Sequence, residues 1–228
     1  MIAIIQSRYN SKRLFGKALK KIVGAPMLLR VVERLKSVSD INKVIVATST
    51  QTFDDNIVNL CKKHNINFFR GSLKNVSKRF RDLINKHSIS DFIRISGDSP
   101  LIHHDTIDNA IKIYKSENKP VITNIWPRSF PKGQTVEIIN SKHFLRCYDD
   151  FNTDYEYEHV TPGVYRLTDK VKISNFTISH NFSDVQLSVD NEFDLDFMNS
   201  VYKRNDFSSL KIEELVYLRQ KFEKQHIS

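Results

Sequence analysis

Residues 6–17, QSRYNSKRLFGK, hold four basic side chains, two serines, one glycine and no acid. Guanidinium and ammonium groups at that density suit a compact polyanion. Arg8, Arg13 and Lys17 could clamp a triphosphate, with backbone N–H groups near Ser11 adding donors. The loop has neither the Gly-x4-Gly-Lys-Ser/Thr spacing of a Walker A loop nor a GxGxxG pattern. Taken alone, it also reads as a solvated basic face. Asp98, in RISGDSPLI (94–102), follows an apolar run and can either hold a divalent cation or cap the next helix. Asp190, in LSVDNEFDLDF (187–197), repeats that pattern and carries the same two readings. Two carboxylates at one sheet edge, facing a basic loop, make a coherent metal–nucleotide site. Glu158 and His159, in YEYEHVTPGVY, suit either substrate binding or a structural pair at a helix end. His103 and His104 are adjacent at a helix start, so their side chains are expected to diverge, and no metal is assigned there.

The elements that must position these groups alternate between two periods. Residues 2–5, 44–48, 66–69 and 92–96 are short apolar runs that read as strands buried on both faces. Between them, residues 26–38, 53–64, 75–87 and 106–115 carry helical spacing. Pro26 fits the first helical position, and Asp54 and Asp55 fit a helix's first turn. The alternation predicts an α/β domain with a doubly wound, mostly parallel sheet, whose ligand crevice lies outside the strands' carboxyl ends.

The second half breaks that rhythm. Strands are expected at 121–126, 134–139, 170–178 and 185–189, and helices at 142–149, 191–203 and 211–224. Residues 1–228 read as one domain, with an accessory lobe at about 125–170. The six glycines (Gly16, Gly24, Gly71, Gly97, Gly133 and Gly163) are all expected in loops.

Composition excludes several classes. No run approaches the roughly 18 apolar residues that a membrane helix needs, and the opening MIAII is too short for a signal-peptide core. Cys61 and Cys147 are far apart and without zinc spacing, which predicts a cytoplasmic protein with reduced thiols. The net charge is +9, and residues 1–36 hold nine basic side chains (Arg8, Lys12, Arg13, Lys17, Lys20, Lys21, Arg30, Arg34 and Lys36) against Glu33. So concentrated a charge suits a nucleotide phosphate better than a nucleic-acid backbone, which favours a broad basic face.

In order along the chain stand IIQSRYNSKRLFGKAL, VIVATS, FRGS, RISGDSPLI, FPKGQTVEI, YEHVTP and LSVDNEFDL. This ordered set resembles the acylneuraminate cytidylyltransferase family, above all its branch associated with spore-coat polysaccharide synthesis. The resemblance covers residues 1–204. It implies a nucleotide-diphospho-sugar-transferase-like (Rossmann-like) fold, with an inserted β-containing lobe for substrate binding and homodimerisation. It implies CTP and Mg²⁺, with CMP passing to a 2-keto acid sugar of the sialic, legionaminic, pseudaminic or Kdo type and pyrophosphate leaving. Residue by residue, it assigns Arg8, Ser11, Arg13 and Lys17 to the triphosphate, with Gln6 beside them, and Asp98 and Asp190 to the metal. It assigns Ala47, Thr48, Ser49, Ser96 and Gly97 to the base and ribose, and Gly133, Glu137, Glu158 and His159 to the sugar.

There are departures from the family pattern. Asn10 and Phe15 stand where the signature loop, Arg-x-Gly-Ser-x-Arg-Leu-Pro-Gly-Lys, has Gly and Pro, and Ser96 stands where the Kdo and sialate enzymes often have Gln. These leave open another nucleotide, a non-sugar or phosphonate acceptor, and a catalytically silent nucleotide-binding subunit.

Overall fold

A computed structural model describes residues 1–11 and 13–226. Lys12, counted above in the basic loop, lies outside the described residues.

The chain runs β1 (Ile2–Gln6), a small hairpin of β2 (Lys21–Ile22) and β3 (Ala25–Pro26), α1 (Met27–Lys36), β4 (Lys43–Ser49) and α2 (Asp55–Lys63). Next come β5 (Asn67–Gly71), α3 (Val76–His87), β6 (Asp91–Ser96), α4 (His104–Glu117), β7 (Val121–Thr123) and β8 (Glu137–Asn140). The remainder is α5 (Ser141–Asp149), α6 (Asp154–His159), α7 (Pro162–Leu167), β9 (Ile173–Asn175), α8 (Glu192–Tyr202) and α9 (Ile212–His226).

Among the described residues, seven strands form one sheet in the order β5-β4-β1-β6-β8-β7-β9. The run β5-β4-β1-β6 is parallel throughout, and β8 is antiparallel to both its neighbours. Strand order reverses between β1 and β6, which opens a crevice at their carboxyl ends. Alternation within each strand divides the core. Ala3, Ile5, Val44, Val46, Ile93 and Ile95 face α1, α2, α4, α8 and α9, whereas Ile4, Ile45, Ala47 and Phe92 face α3, α5 and α7. Both faces are covered, as a doubly wound sheet requires. Residues 125–170 supply β8 to this sheet, and α5–α7 from the same stretch pack beside α3 and β8. Among the described residues, no helix is long and apolar enough to cross a membrane.

Several local expectations are corrected. Pro26 is the N-cap of α1, with extended ψ, and pairs with Lys21 in the hairpin instead of occupying the first helical turn. The strands expected at 121–126 and 134–139 are shorter because side chains replace the ladder. Buried Asn124 donates to the Gln134 carbonyl at 2.6 Å and accepts from the Val136 amide at 3.0 Å. Residues 170–172 form a 3₁₀ turn, so only 173–175 pair as a strand. Residues 185–189 lie against the 131–134 turn, not against a strand, and make one isolated bridge, Lys132 with Gln186. Gly71 ends β5, and Gly163 lies within α7, where a Cβ would sit 2.3 Å from the Phe151 ring.

The sequence reading lacked α6, although its signal is legible. Thr153 and Glu156 form a capping box. The Glu156 carboxylate also accepts from Arg166 Nε at 2.5 Å and the Asn152 amide at 2.9 Å. The Arg166 hydrogen bond, aided by the Asn152 amide, outweighs burial and holds the Glu156 pKa down to about 2. A depressed folded-state pKa stabilises the protein above the unfolded value and loses that contribution as pH falls. Glu156→Gln is therefore expected to lower Tm at neutral pH, with the gap to wild type closing as melts are repeated from about pH 6 to about pH 3. A gap that stays constant over that range would show that the charge is not what matters.

Candidate active site

The loop after β1 is tied to its neighbours by backbone bonds. Ser7 N–H donates to the Ala47 carbonyl at 3.1 Å, and Gly97 N–H donates to the Gln6 carbonyl at 2.9 Å. The Tyr9 amide donates to Asp54 Oδ1 at 2.6 Å, and the other Asp54 oxygen accepts from the Ser49 amide and hydroxyl. Asp54 is fully buried, so this carboxylate fixes where the loop leaves the sheet. Gly16 then turns the chain with φ +68, a conformation other residues adopt only at a cost, and delivers Lys17 inward.

Lys17 is the meeting point. Its Nζ lies 2.7 Å from Asp98 Oδ2, 3.0 Å from the Val189 carbonyl and 3.5 Å from Asp190 Oδ1. Arg13 reaches the same Asp190 oxygen at 2.8 Å. The two acidic loops are joined by Val189 N–H donating to the Asp98 carbonyl at 2.9 Å. Arg13 is 71% exposed and Lys17 only 16%, so Lys17 is the enclosed cation and Arg13 the solvent-facing one. Support for Asp190 comes from behind. Its amide donates to Asp194 Oδ2 at 2.8 Å, and buried Asp194 is held by Arg219 of α9 at 2.9 Å. Asp194 and Asn191 also form the capping box that starts α8.

Beside this cluster lies a cleft of about 470 Å³. Gln6, Arg8, Ser11, Arg13, Lys17, Ser96, Gly97, Asp98, Glu158 and His159 all line it. Asp190 borders it through Arg13 and Lys17. Gly97 is required for close approach, because a Cβ there would lie 2.9 Å from Ser7 Cβ. Arg8 faces Glu158 at 3.6 Å across the cleft.

A second hollow of about 530 Å³ adjoins the first through His159. Trp126 and Tyr165 stack within it, 5.7 Å apart and 7° from parallel, with Arg94 and Arg166 at its edge. Arg94 donates to Gln6 Oε1 at 3.0 Å and pairs with Glu137, which also accepts from the Tyr165 hydroxyl. Burial first, and the Glu137 charge second, raise the Tyr165 pKa well above its ordinary value, so this hydroxyl stays protonated.

Five expected site residues stand away from both hollows. Ala47, Thr48 and Ser49 are fully buried, and Ser49 is committed to Asp54. Gly133 (φ +94) packs on Leu187, whose carbonyl oxygen would be 2.4 Å from a Cβ. Glu137 is fully buried and reaches the second hollow only through Arg94 and Tyr165. The His103 and His104 rings do not diverge. They stack at 4.6 Å, because His103 is extended and precedes the helix. Both His103 ring nitrogens are engaged, by the Leu210 carbonyl and the Asp105 amide.

Arg79 and Arg94 line the two hollows and escaped the sequence reading. A signal for Arg79 exists. It stands three residues after Val76, on the face of α3 that buries Phe80 and Leu83. Asp54 gave no comparable signal, because a first-turn acid is ordinary.

A family model described as cytidylyltransferase matches residues 2–226. The chain belongs to the cytidylyltransferase family. It is thereby a nucleotidyltransferase by family. It is 25% identical to the spore coat polysaccharide biosynthesis protein SpsF of Bacillus subtilis, over 96% of this chain and 93% of that protein. It is 27% identical to the 3-deoxy-manno-octulosonate cytidylyltransferase of Chlamydia trachomatis serovar L2, over 78% and 76% respectively. A cytidylyltransferase structure from Leptospira borgpetersenii serovar Hardjo-bovis superposes with a TM-score of 0.84 at 27% identity, covering 98% of this chain and 94% of that one. In this cytidylyltransferase-family chain, Gly133 reads as an anchor for the loop leading to Asp190. Gly133→Ala is expected to cost about 1–3 kcal/mol, measured by urea or thermal unfolding. Unchanged stability would show that the 131–134 turn does not depend on its contact with Leu187.

Proposed function

We propose that this cytidylyltransferase-family chain moves CMP from CTP onto the hydroxyl of an acidic sugar, a 2-keto acid of the sialic, legionaminic, pseudaminic or Kdo type, and releases pyrophosphate. The product would feed surface polysaccharide or glycoconjugate synthesis. The observation that carries this reading is the Lys17 ammonium set between Asp98 and Asp190 at the mouth of a basic cleft.

Nucleotidyl transfer needs charge neutralisation and alignment more than covalent chemistry. Arg13 and Lys17 would neutralise the triphosphate and stabilise charge on the departing pyrophosphate. Arg8 and Ser11, which line the same cleft, would hold the phosphates in line. The carboxylates of Asp98 and Asp190 fit a Mg²⁺ site. They offer hard oxygen donors, and both lie within reach of one ammonium group. When bound there, Mg²⁺ would supply positive charge beside the α-phosphate.

The second hollow supports an acceptor site. Its Trp126–Tyr165 stack suits the apolar face of a sugar ring, and the Arg94 and Arg166 guanidiniums offer donors to a carboxylate. His159 borders both hollows and so stands where acceptor and nucleotide would meet. One observation favours a second reading. Arg94 and Arg166 are each already matched by a carboxylate, Glu137 and Glu156, which suits a less anionic, non-sugar acceptor. The reading includes a homodimer, as the resemblance implies. It also includes the cytoplasm, in keeping with two buried free thiols, of which Cys61 is pushed up to about 12 by burial.

Pyrophosphate release should be measured with CTP, Mg²⁺ and a panel of 2-keto acid sugars and neutral hydroxyl acceptors. Turnover with a 2-keto acid is the expected result, and Asp98→Asn and Asp190→Asn should each reduce it at least about 100-fold. Near-normal turnover in both variants would overturn the assigned carboxylate roles. Turnover only with neutral acceptors would replace the first reading by the second.

A further inference from the structure

The Gln6 side chain stands at the border of the two hollows. It lines the first cleft, and its Oε1 accepts from Nε of Arg94, which lines the second hollow, at 3.0 Å. A guanidinium has only donors, so the oxygen of the amide must be the end that meets Arg94. That fixes the polarity of the amide, and its NH2 is the end left for the cleft.

Strand register directs Gln6 toward the second hollow. Side chains two apart on a strand share a face of the sheet. Ile4, Phe92 and Ile139 pack in one core, and Gln6, Arg94 and Glu137 each stand two residues from one of them, on that face. Trp126 and Tyr165 of the second hollow pack against the same core. Leu14 and Ala18, which flank Lys17, belong to the core on the opposite face. The bond to Arg94 therefore turns Gln6 away from the Lys17 cluster and ties it to the floor of the second hollow.

Arg94 by itself is short of donors. Gln6 takes its Nε and fully buried Glu137 its Nη1, which leaves Nη2 for a ligand. Each fork of the guanidinium thus has one nitrogen already engaged, and a carboxylate in the hollow gains from a second donor beside Nη2.

We propose that Gln6 reads the acceptor's carboxylate through its amide NH2, beside Nη2 of Arg94, and so selects a 2-keto acid over a neutral acceptor. A 2-keto acid sugar carries its carboxylate on the same carbon as the hydroxyl that attacks. With the ring on the Trp126–Tyr165 stack and the attack directed at the nucleotide, that carbon lies at the border of the two hollows, where Gln6 stands. An amide needs no net positive charge to do this, so the pairing of Arg94 with Glu137 does not stand in its way. This inference rests on the reading of CMP transfer to an acidic sugar and adds a group that sets acceptor choice.

The test measures pyrophosphate release by the full chain with CTP, Mg²⁺ and 2-keto acids of the sialic, legionaminic, pseudaminic and Kdo types, each beside its neutral methyl ester. Wild type, Gln6→Met and Gln6→Glu are compared, and calorimetry gives their CTP affinities. Gln6→Met keeps the length and loses both ends of the amide. It should lower kcat/KM for the acid roughly tenfold to hundredfold, chiefly through the acceptor KM, and lower that for the ester much less. Its CTP affinity should stay near wild type. Gln6→Glu separates reading from support. It keeps an oxygen on Arg94 Nε and puts a second oxygen where the NH2 stood. It should therefore be at least as impaired with the acid as Gln6→Met, with no loss in Tm. Near-wild-type turnover of the acid in Gln6→Glu would show that Gln6 only holds Arg94, and would overturn the proposal. A CTP loss in Gln6→Met matching its acceptor loss, equal losses for acid and ester, or failure of both variants to fold would overturn it too. A wild type that releases pyrophosphate with none of the acids would instead overturn the acidic-sugar reading, and this inference with it.

Discussion

The ammonium of Lys17 holds together parts of the chain 81 and 173 residues away from it. Two carboxylates placed at one sheet edge repel each other, and a half-buried pair cannot rely on water to screen that repulsion. Lys17 resolves the conflict by lying between them, and Arg13 adds a second cation at the surface. The same arrangement is a charge trap. The groups that neutralise the carboxylates without ligand are the groups a triphosphate would recruit. On the proposed reading, nucleotide binding would exchange these partners and leave the carboxylates for a divalent cation.

That cluster depends on the sheet reversing its order between β1 and β6. The reversal puts the loops after both strands on one rim, where Gly97 lets them touch. The third loop arrives from the far end of the chain. Gly133 lets residues 185–189 lie flat against the 131–134 turn, and Arg219 clamps Asp194 beneath Asp190. The C-terminal helix, which lines neither hollow, is thereby part of the site's support.

A second buried polar chain runs beneath the two hollows. Gln6 meets Arg94, Arg94 meets Glu137, and Glu137 meets Tyr165. Tyr165 carries the aromatic stack of the second hollow, and Gln6 lines the first. Displacing one end of this chain would strand a buried charge, so the two hollows share one rigid floor.

By itself, the sequence determined the alternation of elements, the basic loop and the two strand-end aspartates. Strand-end position and local charge are properties of short segments, and period-two burial against 3.6 spacing separates strand from helix. The ordered motifs also carried the family. Tertiary structure decided which expected residues reach the cleft. Ala47–Ser49 end a strand as Gln6 and Ser96 do, yet they are fully buried, with Ser49 bonded to Asp54. The resemblance assigned Glu137 to the sugar, and the fold makes it the buried counter-ion of Arg94. Residues 185–189 had the composition of a strand but met a turn, because pairing needs a free edge that only the folded sheet supplies. Arg79 was legible only as a charge on an apolar face. That its Nε and Nη1 find no partner among the described residues is a statement about every atom around them, which no local pattern records.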